Sequence, residues 1–360
     1  MVHKHNLEAW IKSHPRVRRL TIFLRSVFRW GKYNLAGRSV WVKKKLRQNE
    51  LRHRLAFPPL VSLEITNYCN ASCVMCPHAS MGRPLQHMEP ELFRRLIDEC
   101  AEFSLERLHP FFFGEPLICP HFPEFMDYAR SKLPATSINV YTNGAVLQGD
   151  NVEALFRNRI DEILVCLDGA TKDVYESIRK GLNYDTVVEN LVKFMEKKRQ
   201  KRCLKPVLRI ILIEMENNQE EIEQFLRRWR GIADIVEVQM VHNWSGQLQC
   251  SPSGDTGLLA PGEKPPRSSG LNRGYPCFQL FNELVVAADG RVPLCCMDYD
   301  LKYVIGNVQE SSLESIWKNR RINFIRKEQE AGNFGAPEIC VDCIRYNILG
   351  SRYSYWKKLW

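Results

Sequence analysis

Between residues 58 and 245, strand-like and helix-like stretches alternate, and this regularity restricts the fold more than any other feature of the chain. Strand-like Leu60–Ile65 is followed by helical Pro90–Glu102, then strand-like Leu108–Phe113 and helical Phe122–Ser131. The pattern repeats with Ser137–Tyr141 and Asn151–Asn158, Glu162–Leu167 and Tyr184–Lys198, Val207–Ile213 and Asn218–Trp229, and closes on Ile235–Val241. Short apolar runs rich in Val and Ile read as strands, and apolar residues at a 3.6-residue period read as helices. Repeated βα units require crossover connections and hence a parallel sheet. Six or so units fit an α/β fold, a partial (β/α)6 TIM-like barrel with its site at the strand C-termini.

Directly after the first strand comes Asn67-Tyr-Cys-Asn-Ala-Ser-Cys-Val-Met-Cys-Pro77, which places Cys69, Cys73 and Cys76 at C-x3-C-x2-C spacing. Three close thiolates in a loop can hold three irons of a cubane and leave the fourth open to a small molecule. The competing reading is zinc, with His78 as a fourth ligand.

Thirteen cysteines are too many for idle core packing and are not arranged as a small disulfide scaffold. Thiolates held for metal need a reducing compartment. The start, Met1-Val-His-Lys-His-Asn-Leu-Glu, lacks the apolar core of a secretory signal. No run approaches about 18 apolar residues. A cytoplasmic location is therefore expected.

The net charge of +10 is unevenly placed. Residues 1–55 carry 15 Lys and Arg against Glu8 and Glu50, and the rest of the chain carries 36 against 39 acids. A nearly neutral body argues against a nucleic-acid groove. Within the basic segment, Val17, Leu20, Phe23, Leu24, Val27 and Phe28 recur at helical spacing among arginines. Residues 16–33 suit either packing against the barrel or peripheral contact with an anionic membrane on its inner surface.

The motifs beyond the triplet resemble those of radical S-adenosylmethionine (radical SAM) enzymes. Phe112-Phe-Gly-Glu-Pro116 resembles the family's Gly-Gly-Glu-Pro turn, with Phe113 in place of the first glycine; Thr142-Asn-Gly144 follows a strand, as in the family. Val165-Cys-Leu-Asp-Gly-Ala170 and Tyr175-Glu-Ser-Ile-Arg-Lys-Gly181 resemble the family's Ser-Leu-Asp-Gly…Tyr…Ile-Arg-x-Gly run, with Cys166 for serine. Met75 stands where an aromatic residue is common. The resemblance implies a four-iron cluster on Cys69, Cys73 and Cys76, with SAM on its open iron. It also implies SAM contacts from Gly114, Glu115, Thr142 and Asn143. Asp168 and Arg179 are candidates for SAM or substrate contacts, or for an internal salt bridge. The activity implied is reductive cleavage of SAM to a 5′-deoxyadenosyl radical that abstracts hydrogen from a substrate C–H bond, fed by a flavodoxin- or ferredoxin-type reductant.

A second set is Cys277, Cys295, Cys340 and Cys343, with Cys296 as an alternative to Cys295. Asp289-Gly290 between two apolar runs signals a hairpin, helix-like Ser312–Lys327 follows, and Cys340-Val-Asp-Cys343 closes the set. Four thiolates suit zinc or an iron–sulfur cluster. This stretch resembles the SPASM/twitch extension of radical SAM enzymes, which implies an auxiliary four-iron cluster. The pattern resembles the 2-deoxy-scyllo-inosamine dehydrogenase type most. Cys100, Cys119, Cys166, Cys203 and Cys250 are isolated and read as structural thiols.

The chain thus divides into a basic helical extension (1–55), a radical SAM core (56–245), a Pro/Gly/Ser-rich linker (246–274), an auxiliary module (275–350) and a tail (351–360). The expected function is oxidation of a hydroxylated small molecule (a sugar, aminocyclitol or glycan), with the auxiliary cluster accepting an electron. Peptide modification is the second reading, and a zinc-stabilised, membrane-associated binding protein the third. Glu214 and His242, near strand ends, are open candidates for the base.

Overall fold

The computed structural model describes residues 55–103, 105–241, 244, 248–250, 256–258, 276–333, 335, 337–341 and 343. All of them fall within the unit Arg54–Trp360. The amphipathic stretch 16–33, the tail and His242 lie outside the described residues.

In chain order the core comprises β1 (Leu60–Leu63), β2 (Ser72–Cys73), α1 (Pro90–Ala101), β3 (Arg107–His109), α2 (Phe122–Lys132), β4 (Ser137–Thr142), α3 (Gly149–Arg157), β5 (Glu162–Cys166), α4 (Lys172–Ile178), β6 (Arg179–Lys180), α5 (Tyr184–Gln200), β7 (Val207–Glu214), α6 (Ile222–Trp229) and β8 (Ile235–Met240). The C-terminal part adds β9 (Leu248–Cys250), β10 (Thr256–Leu258), β11 (Glu283–Val286), β12 (Arg291–Pro293), β13 (Val304–Asn307), α7 (Leu313–Trp317), α8 (Arg320–Glu330) and α9 (Glu338–Val341).

Seven parallel strands form the main sheet in the order β11-β1-β3-β4-β5-β7-β8. Side chains alternate across a strand, and the sequence divides its two faces sharply. Val61, Leu63, Leu108, Ile138, Val140, Ile163, Val165, Leu208, Ile210 and Leu212 are fully buried on one face. The helices cover this face through residues such as Phe93, Phe125, Leu155, Leu191 and Phe225. Each large side chain buried this way contributes about 1.5–3 kcal/mol relative to exposure. The other face lines the barrel interior and carries the strands' polar side chains, with apolar Leu164, Ile211 and Val285 among them.

Helix ends follow local chemistry. Pro90 opens α1, where its missing N–H costs nothing. Asn183 caps α5 by accepting from the Thr186 N–H at 2.9 Å, and Lys197, Lys198 and Arg199 occupy its last turn.

The structure departs from the sequence reading at four places. β3 stops at His109, because Pro110 has no N–H to continue a ladder. The Asp289-Gly290 turn is present, with Ala287 N–H donating to Arg291 O at 2.9 Å. Its first arm, however, extends the barrel sheet beside β1, and its second pairs antiparallel with β13. The helical stretch after Ser312 is two helices, since Asn319 caps α8 through the Ile322 N–H. Within the stretch read as linker, β9 and β10 pair antiparallel.

Glu64, just past β1, is fully buried and ties these parts together. Its carboxylate takes two hydrogen bonds from Arg83, at 2.7 and 2.6 Å, and others from the Phe113 and Ala288 N–H groups. The cysteine loop, the Gly114 turn and the end of β11 thus meet at one carboxylate. Removing one partner of a buried ion pair strands the other charge. Glu64→Ala is expected to lower stability by about 3–5 kcal/mol, read as a lower urea midpoint. Adding Arg83→Met should cost less than the sum of the single changes. A Glu64→Ala midpoint equal to that of the parent protein would contradict this role.

Candidate functional site

Every sequence-selected residue of the first set lies at the C-terminal end of the barrel strands. The cysteine loop follows β1 and is pinned at several points. Asn67 accepts from the Gln86 N–H and donates to Pro84 O, and Val74 N–H donates to Ile178 O. Ser72 and Cys73 pair antiparallel with Lys180 and Arg179. His78 Nε2 lies 2.7 Å from Asn67 O, so that nitrogen is engaged with the backbone and not with the thiols. Cys69, Cys73 and Cys76 are partly buried, free and electrostatically coupled. Burial pushes the Cys69 thiol up to about 11 and the Cys76 thiol up to about 12. A bound cation would reverse that cost by favouring the thiolates.

Gly114 has φ +83°, and a Cβ there would meet Tyr68 O at 2.6 Å and Thr66 O at 2.8 Å. Only glycine lets this turn lie against the strand that leads into Cys69. Beside it, Glu115 N–H donates to Tyr68 O at 2.7 Å. The buried Glu115 carboxylate accepts from Thr142 Oγ1, Asn143 N–H and Leu117 N–H at 2.7, 2.7 and 3.1 Å. Burial raises it to about 7, against the pull of these donors. Asn143 Nδ2 reaches Asn70 Oδ1, inside the cysteine loop, at 2.7 Å. Glu115, Thr142, Asn143 and the loop therefore form one network.

Asp168 and Arg179 make a buried ion pair, with Arg179 Nε and Nη2 donating to Asp168 Oδ2 at 2.6 and 2.5 Å. Asp168 Oδ1 accepts from the Ile213 N–H. Burial alone would lower the guanidinium pKa, but Asp168, then Cys73 and Cys166, raise it, so Arg179 is charged. Its Nη1 lies 3.4 Å from Cys73 Sγ. Cys166 belongs to this group electrostatically and is not an isolated thiol.

In the C-terminal part, burial raises the Cys295 thiol well above its ordinary value, and Cys296, Cys340 and Cys343 add to the effect. Cys277 opens a short 3-10 helix and its N–H donates to Gln329 Oε1. Cys296 Sγ instead accepts from Gln279 Nε2 at 3.4 Å and packs against an apolar cluster. That cluster joins Phe112, Phe113, Val285, Tyr299 and Leu301 with Cys76 and Trp244. Trp244 Nε1 donates to Met75 O at 2.7 Å. Phe113 thus packs in a cluster bordered by Cys76 and Cys296, and Met75 is buried with Ile178 and Met215.

Comparison with known proteins bears on this arrangement. Residues 63–228 match the radical SAM superfamily and residues 277–344 the SPASM iron–sulfur cluster-binding domain. The chain carries a radical SAM domain followed by a SPASM domain. It is 22% identical over 299 residues to an S-adenosyl-L-methionine-dependent 2-deoxy-scyllo-inosamine dehydrogenase of Niallia circulans, covering 82% of this chain and 97% of that one. It is 28% identical over 146 residues to the mycofactocin maturase MftC of Mycobacterium ulcerans, covering 39% of this chain and 38% of that one. Its fold is similar to that of BtrN in complex with AdoMet and 2-DOIA, at 20% identity and a TM-score of 0.53, covering 80% of this chain and 93% of that one.

As a radical SAM protein with a SPASM domain, it takes SAM, a SAM-binding four-iron cluster and an auxiliary iron–sulfur cluster as cofactors. The donor sets fit. Thiolates sharing one zinc lie within about 4 Å of each other, given Zn–S lengths of about 2.3 Å. Each sulfur of an iron–sulfur cluster meets its own iron, and Cys69, Cys73 and Cys76, like Cys295 with Cys340 and Cys343, lie near enough to perturb one another's ionisation. Among the described residues no helix is long and apolar enough to cross a membrane.

The polar face of the sheet was the feature least visible in the sequence. Strand register places Ser62, His109, Asn139, Tyr141, Glu162, Arg209, Glu237 and Gln239 on it. Arg209 bridges Glu162 and Glu237 at 2.7 and 2.8 Å. His109 is 8% exposed, packs edge-on to Tyr141 at 5.3 Å, and its Nε2 has no hydrogen-bond partner. Burial lowers its imidazole to about 4, with Arg107 adding and Glu283 opposing, so it is neutral at pH 7.

Two outcomes are expected. Gly114→Ala should reduce iron uptake on anaerobic reconstitution and cost at least about 1–2 kcal/mol from the left-handed backbone alone; full iron with an unchanged midpoint would contradict the close approach. His109 stays neutral in the fold and protonates more readily once unfolded. Its contribution is therefore present above pH 6.5 and lost as pH falls toward 4, amounting to about 3 kcal/mol. His109→Asn should flatten the fall in urea midpoint over that window, and equal slopes in both proteins would refute it.

Proposed function

We propose that this radical SAM enzyme is a dehydrogenase-type oxidoreductase that converts a CH–OH group of a small hydroxylated substrate, such as a sugar or aminocyclitol, to a ketone. The observation that carries this reading is the cluster of polar side chains on the inward face of the barrel. A polyol brings many hydroxyls that must each find a partner when water is excluded. The inward face offers Arg209, Glu162, Glu237, Gln239, Asn139, Tyr141 and the unpartnered His109 Nε2. The match to an inosamine dehydrogenase over nearly that protein's whole length supports the same class. The similarity to a maturase covers 39% of this chain, and peptide modification is the second reading.

Cys69, Cys73 and Cys76 would hold the SAM-binding cluster, and Cys277, Cys295, Cys340 and Cys343 the auxiliary one. Cys295 is influenced by Cys296, Cys340 and Cys343 together, and Cys296 remains its alternative. When bound, the SAM-binding cluster and SAM would supply hydrogen-atom abstraction from the CH–OH carbon, and the auxiliary cluster would supply an acceptor for the electron that leaves as the hydroxyl gives its proton to a base or water and the ketone forms. The chain's own part is to bind, orient and exclude water. Glu115, held by Thr142 and Asn143, would receive the SAM ammonium beside Gly114. Phe113, Trp244 and Tyr299 pack together beside Cys76 and would keep water from that side of the first cysteine set. His109 Nε2 is the buried inward atom able to accept a hydrogen bond from a substrate hydroxyl.

The test is anaerobic reconstitution followed by a panel of polyols, aminocyclitols and peptides. About eight irons per chain are expected, falling to about four in the Cys69/Cys73/Cys76→Ala protein. A cyclitol should yield 5′-deoxyadenosine and ketone in equal amounts. Turnover with peptides alone would replace the dehydrogenase reading by the maturase one, and zinc without iron would remove both.

A further inference from the structure

At the mouth of the barrel a charged group, Arg179, is aimed at a cysteine sulfur. Arg179 lies opposite Cys73 in the short antiparallel pairing of β2 and β6, so the backbone itself sets the two side by side. Two of its nitrogens are committed to Asp168, which leaves Nη1 facing Cys73 Sγ at 3.4 Å. Asp168 is in turn fixed, since Oδ1 accepts from Ile213 N–H at 2.7 Å and its backbone carbonyl accepts from Asn218 Nδ2 at 3.0 Å. Asp168 is fully buried and Arg179 nearly so, which leaves the guanidinium little freedom to turn away.

We propose that Arg179 Nη1 donates a charged hydrogen bond to the Cys73 sulfur and thereby raises the reduction potential of the SAM-binding cluster, with Asp168 as the positioning residue that keeps the guanidinium in place. The inference rests on the assignment of that cluster to Cys69, Cys73 and Cys76. Hydrogen bonds to ligand sulfurs and local charge are two of the levers that set iron–sulfur potentials. Reduction adds negative charge to the cluster, so a cationic donor on a thiolate ligand favours the reduced form, the more so where water is scarce. Asp168 orients the donor and partly offsets its charge, so the hydrogen-bonding direction is what the pair preserves.

The experiment is a redox titration of the reconstituted full chain, followed by the electron paramagnetic resonance signal of the SAM-binding cluster. It is run without SAM, so that any contact between Arg179 and SAM leaves the readout untouched. Arg179→Met should retain the iron and sulfide of the parent protein and shift the midpoint of this cluster to more negative potential, leaving the auxiliary midpoint unchanged. Asp168→Asn also removes a negative charge, so its positioning effect is read by difference: the substitution should move the midpoint further toward negative potential in the parent protein than in the Arg179→Met background, and equal shifts in both would overturn the positioning role. Arg179→Lys, which keeps the charge but not the fork, should lie between. A loaded Arg179→Met protein with the parent midpoint overturns the proposal. If that variant takes up no iron, Arg179→Lys decides on the same signal, and loss of iron from all three variants makes the pair a structural prop only. Failure of the parent protein to bind iron is a different result, visible before any titration, and it overturns the cluster assignment itself.

Discussion

A single buried carboxylate organises this molecule. Glu64 leaves β1 where the chain turns into the cysteine loop, and its oxygens are shared among Arg83, Phe113 and Ala288. Each partner belongs to a different segment: the return from the cysteine loop, the turn before Gly114, and the end of β11. An ionised carboxylate without water must be met by donors on every side. Those donors can be supplied only if all three segments are in place. Positioning of the cysteine loop and docking of the C-terminal part are therefore one event energetically.

Around this anchor the site is assembled from backbone contacts more than from side chains. Gly114 allows carbonyls of residues 66 and 68 to sit where a side chain would be, Glu115 binds the same strand through its N–H, and Arg179 is brought to Cys73 by strand pairing. Such contacts are insensitive to solvent and cost little when the cofactor arrives, which is the meaning of a pre-organised site. The price is a thiol-rich loop held partly out of water, with Cys69 and Cys76 hard to ionise until metal binds.

The sequence was informative where information is local. Alternating strand and helix periods, the cysteine spacing, the Gly-Glu-Pro and Thr-Asn-Gly turns and the Asp-Gly turn all lie within short windows, and the structure places them at the strand ends. It was silent where partners are far apart. Nothing near Glu64 announces Arg83 or Ala288, and β11 gives no sign that its neighbour is a strand more than 200 residues earlier. The substitution of Phe113 for glycine looked like a weakened motif; in space it is a buried aromatic in a cluster that Cys76 and Cys296 border. Cys166 looked isolated for the same reason, since Arg179 reaches it only after the chain has folded. The charged inner face was in principle legible from the alternation of Arg209 with Leu208 and Ile210, but apolar neighbours on both sides of each polar residue masked it.

The placement of β11 also bears on how such proteins can be taken apart. A domain joined by a linker is ordinarily separable, and its removal leaves a closed surface. Here the C-terminal part lends a strand that hydrogen-bonds along the whole of β1. Cutting the chain in the linker would bare a row of amide and carbonyl groups on an apolar strand, the kind of edge that recruits other chains. The core and its C-terminal part are thus inherited as a pair: recombination could exchange the loops at the barrel mouth far more readily than the module that seals its side.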